Sequence, residues 1–268
     1  MSSPPTTAAG RRRLPVLAFV ILAALFLVAI HFATVPFEKG EVGYGQFRTT
    51  EEVLRGLLPS VVLGALIGIA VVSYLRWWRP VLRDEPELRA PRFVWLFPVI
   101  IVLAVLGGIQ YSALADGGVA FTITLLIAAL LVGVSEELMF RGIGVVSLRD
   151  AGLSEGKVAL YSSVIFGLAH ATNLFTEGLS AIPQVLTTAF AGYFFYLARR
   201  VSGTLVLGMV LHGLWDFGIF TGLVDGRDNL YLGTTLFIIA DVIMLIIALA
   251  TIRKVFPRRE ERAEVGAD

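Results

Sequence analysis

The feature that most constrains this chain is a succession of long apolar runs: Leu14 to Val35, Val53 to Leu75, Phe93 to Leu114, Val119 to Val146, Val158 to Phe175, Leu179 to Ala198, Thr204 to Leu223 and Leu230 to Ile252. Most match the roughly 20 residues with which a helix crosses the ~30 Å hydrocarbon core of a bilayer. Hydrocarbon offers no partner to backbone N–H and C=O groups, so a spanning chain is either helical or a closed barrel, and runs of this length select the helix. The prediction is an all-α fold, a polytopic transmembrane helical bundle of about eight spans. With 56% hydrophobic residues, 16% charged residues and a mean hydropathy of +0.80, the 268 residues are too apolar for a water-soluble domain, and membrane lipids are the expected surroundings.

Charge gives a second, independent reading. The formal net charge is only +1, yet the cations are segregated. Arg76, Arg79, Arg83, Arg89 and Arg92 follow the second run, Arg149 and Lys157 the fourth, Arg199 and Arg200 the sixth, and Arg253, Lys254, Arg258, Arg259 and Arg262 the eighth. The alternate loops carry mostly acids or nothing, as with Glu38, Glu41, Asp116, Glu177, Asp225 and Asp228. The positive-inside rule therefore places both termini in the cytoplasm of a multi-pass cell-membrane protein. Residues 1–13 read as a disordered basic cytoplasmic tail, 14–256 as a single transmembrane helical domain whose motifs lie in 119–223, and 257–268 as a charged cytoplasmic tail. The first run is too long for a signal-peptide core and reads as a retained span. Nothing suggests a nucleic-acid partner, and the oligomeric state is not legible. The absence of cysteine excludes disulfides, thiolate zinc sites, a cysteine nucleophile and prenylation of this chain.

The chemistry then falls to oxygen and imidazole. Ser135-Glu136-Glu137-Leu138-Met139-Phe140-Arg141-Gly142 places two carboxylates and a guanidinium in an apolar helix, where an uncompensated charge costs roughly 2.5 to 3.5 kcal/mol. Glu137 and Arg141, four apart, share a face and can pair, which makes them supports of a site. Glu136 points about 100° away from Glu137 and has no such local partner, so it is the candidate acid or base. Phe166-Gly167-Leu168-Ala169-His170 and His212-Gly213-Leu214-Trp215-Asp216 bring two of the three histidines to membrane depth, with His212 and Asp216 on one face. His31 lies near the outer end of the first run and reads as structural. Glu136, His170 and His212 each fall about 15 to 20 Å from the cytoplasmic end of their spans, level with one another. Gly64 and Gly68 form a G-x-x-x-G pair suited to close helix packing, and Asp241 is a lone acid in the last run, either a helix-helix hydrogen bond or a neighbour of the site.

Two schemes fit these residues. A carboxylate beside an imidazole can deprotonate water while a second imidazole and acid stabilise an oxyanion. Equally, His170, His212 and Glu136 could serve as three metal ligands around Zn2+ or another divalent cation bearing an activated water. The residues alone leave both open. A transporter passing protons along Glu136, His170 and His212 is a weaker reading, because no repeats or paired broken helices accompany them. A non-catalytic membrane scaffold, chaperone or immunity protein is the other alternative.

The ordered set E-E-x-x-x-R (Glu136 to Arg141), F-x-x-x-H (Phe166 to His170) and H-x-x-x-D (His212 to Asp216) resembles the signature of the CPBP family, the CAAX prenyl-protease and bacteriocin-processing intramembrane metalloproteases, also called Abi. The resemblance covers the C-terminal half, from the fourth run to the seventh. It implies an intramembrane endopeptidase acting on a membrane-associated or lipidated peptide or protein. Under it Glu136 and His170 activate the water, His212 and Asp216 stabilise the transition state, and Glu137, Arg141 and Phe166 organise the site. Family members usually carry Asn at the last position; the carboxylate of Asp216 suits a cation better than an oxyanion unless it is protonated.

Overall fold

The computed structural model describes residues 12–33, 46–174, 178–224 and 232–256. Most of the expected N-terminal tail, the whole of 257–268, and the acidic loop residues Glu38, Glu41, Glu177, Asp225 and Asp228 lie outside the described residues. Within them the chain is helical: α1 (Val16–Ala33), α2 (Thr50–Gly56), α3 (Leu58–Leu75), α4 (Trp78–Leu82), α5 (Leu96–Gly108), α6 (Tyr111–Glu137), a π-helical stretch (Leu138–Gly144), α7 (Val145–Asp150), α8 (Glu155–Ala169), α9 (Ile182–Ser202), α10 (Leu205–Leu223) and α11 (Leu232–Val255), with short 3₁₀ turns between some of them. An isolated antiparallel bridge pairs Arg83 with Thr204.

Every apolar run read from the sequence contains a helix, but the helices are unequal. Five stretches are long and apolar enough to cross a membrane: α1, α3, the continuous Tyr111–Asp150 rod formed by α6, the π stretch and α7, then α10 and most of α11. The run Phe93 to Leu114 is broken, with a 3₁₀ turn at Arg92–Trp95, a 13-residue α5 and an extended Ile109 before α6 begins. Thirteen residues rise only about 20 Å. The run Val158 to Phe175 also ends early. Its helix α8 stops at Ala169, and His170 opens a 3₁₀ turn instead of continuing the span. Side chains explain that stop: His170 Nδ1 lies 3.0 Å from the carbonyl of Phe166, and Thr172 Oγ1 donates to the carbonyl of Ala169 at 3.1 Å, taking acceptors that a helix end leaves open.

The outer surface is apolar. Leu25 is 61% exposed, Leu66 57%, Leu103 64% and Leu249 64%, which water would penalise and lipid does not. Because lipid tails are as apolar as leucine, the helices are held together by close contact rather than by hydrophobic exclusion, and small residues mark the seams. Gly64 packs on Ser135 and Phe26, and Gly68 on Leu138, so the G-x-x-x-G pair does join α3 to α1 and to the α6 rod. The closest crossing lies between α6 and α10. A Cβ on Gly133 would stand 2.2 Å from the carbonyl oxygen of Met209, and one on Gly213 2.6 Å from Cα of Leu130. Phe237 of α11 wedges between Gly108 of α5 and Gly218 of α10 and meets Trp215 edge-to-face at 4.7 Å.

At the end of the bundle rich in arginine, charged side chains are folded inward. Arg199 and Arg200, read from the sequence as loop cations, are 0% and 2% exposed. Asp84, just after α4, receives a hydrogen bond from Arg199 Nε at 2.9 Å and one from Arg149 Nη1 at 2.8 Å. Glu155, at the start of α8, accepts from Arg149 Nε at 2.8 Å and Arg200 Nη1 at 3.0 Å. Burial raises the Asp84 carboxyl, but the charges and hydrogen bonds of Arg199 and Arg149 outweigh it and hold the group below its ordinary value. Glu155 is likewise pulled down against its burial by Arg149, Tyr196 and Arg200. The network ties α4, α7, α8 and α9 together.

Candidate active site

The site grows from the α6–α10 crossing. Mutual contact of Gly133 and Gly213 brings the two backbones so close that Glu137, four residues past Gly133, reaches His212, the residue before Gly213. Glu137 Oε1 accepts from His212 Nδ1 at 2.9 Å. The same oxygen pairs with Arg141 Nη1 at 3.2 Å, with both side chains fully buried, as their four-residue spacing predicted. A carboxylate can only accept, so the hydrogen bond assigns the proton of His212 to Nδ1 and leaves Nε2 facing the other acids. Those are Asp216 Oδ2 at 3.5 Å and Glu136 Oε2 at 3.8 Å. Glu136 is therefore turned away from Glu137 and Arg141 but towards the same imidazole.

Aromatic rings wall this cluster. The guanidinium of Arg141 lies over the Phe166 ring at 3.8 Å, a cation–π contact in a desolvated place, and Arg141 Nε reaches the carbonyl of Gly192 at 3.4 Å. Phe166 meets His212 edge-to-face at 5.7 Å and His170 at 4.9 Å, so it stands between the two histidines. Phe195 stacks on the His212 ring at 4.6 Å with an interplanar angle of 13°. A carbonyl accepts, so the contact with Phe166 makes Nδ1 the protonated nitrogen of His170 and frees its Nε2. Both imidazoles are thus held by Nδ1, with Nε2 of His212 turned to Asp216 and Glu136, an arrangement that suits proton transfer.

Of the residues expected from the sequence, the structure gathers Glu136, Glu137, Arg141, Phe166, His212 and Asp216. His170 stands across Phe166, tied to its own helix. Among the described residues no three His, Asp or Glu side chains are placed to share a metal ion. The expected ligand set Glu136, His170 and His212 is therefore not drawn together around one point. His31 is exposed near the end of α1, its ring edge-to-face with Phe32 at 5.2 Å, which agrees with a role outside the site.

The segment that carries these groups is similar to a known family. Residues 118–218 match the Rce1-like family, described as type II CAAX prenyl endopeptidase Rce1-like. That is the resemblance expected from the motifs. The Rce1-like segment starts at the kink where Gly118 adopts φ 76° within α6, and it ends two residues past Asp216. It contains every residue of the cluster, and it is a protease pattern. No curated protein and no solved structure matches the chain.

Sequence reasoning missed several residues that shape the Rce1-like segment. Phe195 gives no signal, being one aromatic among several in Tyr193-Phe194-Phe195-Tyr196. Gly133 and Gly213 were legible only as small residues in apolar helices. Asp84 lies outside the matched segment in what reads as a loop, whereas Asp241, in the last apolar run, was singled out from the sequence. Asp241 lines a crevice with Phe195 and Trp215, and its Oδ1 is buried with no hydrogen-bond partner. It is a neighbour of the site's wall and not a bonded strut through that atom.

Proposed function

We propose that this chain is an intramembrane endopeptidase, embedded in the cell membrane by eight passes with both termini in the cytoplasm, that hydrolyses a peptide bond in a membrane-associated or lipidated peptide. The observation that carries the reading is the imidazole of His212, pinned at Nδ1 by Glu137 and turned at Nε2 towards Glu136 and Asp216, inside a segment matching a protease family.

Hydrolysis of an amide needs an attacking water stripped of a proton and a donor for the charge that collects on the carbonyl oxygen. Glu136 supplies the first, and the proton it takes from the water passes to the leaving amine nitrogen as the carbon–nitrogen bond breaks. Its side chain is 17% exposed against 0% for Glu137, whose charge is already shared between Arg141 and His212. His170 assists with its free Nε2. His212 supplies the second: once Nε2 carries a proton, it donates to the oxyanion, and Glu137 balances the resulting cation. Asp216 sits on that same nitrogen, so it holds the proton in place rather than donating to the oxyanion itself, in keeping with an acid at a position where an amide is usual. The surrounding rings of Phe166 and Phe195 keep bulk water out, which strengthens each of these interactions.

The test is cleavage of lipidated peptides in proteoliposomes. Glu136→Gln and His170→Ala should each remove detectable turnover while the thermal midpoint in detergent stays near that of the wild type. Unaltered turnover in the Glu136 variant would overturn the assignment.

A further inference from the structure

The strongest unassigned feature is the line of contacts that joins the charged network to the site. In the π-helical stretch the ladder is one residue wide of regular, which shifts its carbonyls out of ordinary pairing. The carbonyl of Arg141 accepts a hydrogen bond from Arg199 Nη1. The other guanidinium atoms of Arg199 are equally committed, Nη2 to the carbonyl of Pro80 at 2.8 Å and Nε to Asp84 at 2.9 Å. Asp84 is itself fixed by its backbone N–H, which donates to the carbonyl of Gly203 at 3.0 Å, and by Arg149 from α7. The side chains of Asp84 and Arg199 are fully buried. Arg141, held at its backbone in this way, directs its own guanidinium to Glu137, and Glu137 orients His212.

We infer that Asp84 and Arg199 are a positioning pair that keeps the wide turn of the site in its working shape, so that the rate of the chemical step depends on them while substrate binding does not. This rests on the endopeptidase reading above. Neither residue touches the reacting atoms. Their action passes through the Arg141 backbone, and a displacement of about 1 Å in groups that orient a catalytic imidazole is enough to cost up to two orders of magnitude in rate.

Arg200 provides an internal control. It belongs to the same network, donating to Glu155, to Tyr196 at 2.9 Å and to the carbonyl of Leu88, but its contacts do not include the π stretch. A purely structural network would treat the two arginines alike. Lysine keeps the charge at either position yet cannot span three acceptors in one plane.

The experiment compares Arg199→Lys, Asp84→Asn and Arg200→Lys in the full chain by steady-state cleavage and by hydrogen–deuterium exchange. Arg199→Lys and Asp84→Asn should lower kcat about tenfold or more with KM unchanged, and amides of residues 138–144 should exchange about tenfold faster, while Arg200→Lys keeps both near wild type. Equal losses in Arg199→Lys and Arg200→Lys, or a wild-type kcat in Arg199→Lys, would overturn the inference. If the wild-type protein cleaves nothing, the endopeptidase reading fails. The exchange comparison still decides the positioning pair, because faster exchange at 138–144 confined to Arg199→Lys and Asp84→Asn supports it, and identical exchange in all three rejects it.

Discussion

Arg141 shows what holding a charge inside a bilayer demands. Its guanidinium is covered by Phe166, pairs with Glu137 and donates from Nε to a backbone carbonyl, while Nη1 and Nη2 are buried without a hydrogen-bond acceptor, so the ion pair and the ring carry much of the compensation. Taking away one member of such a buried pair strands the other, at a cost of about 3 to 5 kcal/mol. Glu137→Gln preserves the shape but deprives both Arg141 and His212 of their common acceptor charge. Melting in detergent should show that loss of stability, and turnover should fall at least as far as in the Glu136 variant. Phe195→Ala tests the stacking on His212. It should lower stability by about 3 kcal/mol and broaden the orientation of the ring, read as a drop in kcat. The pairings within single helices were legible from spacing alone, Glu137 with Arg141 and His212 with Asp216, because i,i+4 geometry is local. Phe195 over His212 was not, since stacking between α9 and α10 depends on how two helices cross.

At the level of elements, two glycines of α6 offer contrasting tests. Gly133 has no room, its Cβ position falling on the backbone of α10, whereas Gly118 has open space but a φ of 76° that side-chain-bearing residues rarely adopt. Gly133→Ala should therefore push α6 and α10 apart, costing about 1 to 3 kcal/mol and abolishing turnover. Gly118→Ala should cost about 1 kcal/mol through backbone strain and leave catalysis intact. Thermal denaturation with a parallel cleavage assay separates the two. The α-helical class and the seam at Gly64 and Gly68 could be read from the sequence because apolar runs and small-residue spacing are one-dimensional signals. The end of α8 at Ala169 could not, as Leu174 and Phe175 resume the apolar run beyond His170, Thr172 and Asn173 and it is side chains binding back to the backbone that stop the helix. The burial of Arg199 was hidden for a similar reason: a cation at a helix end looks the same in sequence whether it faces water or a distant Asp84.

For the molecule as a whole, acid should loosen the arginine-rich end first. Asp84 is held below its ordinary value of 3.8 in the folded state, so it keeps its charge there at a pH where the unfolded chain has begun to lose it. The stabilisation is complete above that unfolded value and disappears as pH falls through the lower, folded one. The melting midpoint should drop on the acid side of about pH 4, and in Asp84→Asn that drop should be shallower from a lower starting point. The proposed cytoplasmic placement of both termini is open to direct test because the chain has no cysteine of its own. Ser3→Cys and Ala263→Cys should react with a membrane-impermeant thiol reagent only from the cytoplasmic face; labelling of either from outside would reject the topology.

The π-helical stretch also sets the angular phase between its two neighbours. Upstream, α6 aims Glu136 and Glu137 at His212; downstream, α7 aims Arg149 at Asp84 and Glu155. Deleting one residue from 142–144 would take out the extra residue that the wide turn absorbs, so a regular ladder would return with α7 in nearly its present phase but without the displaced carbonyl that Arg141 offers to Arg199. A chain with tidier backbone geometry would keep Arg149 on its acids and lose the acceptor at Arg141, so the irregular turn works as a coupling pin through which anchorage grips the site.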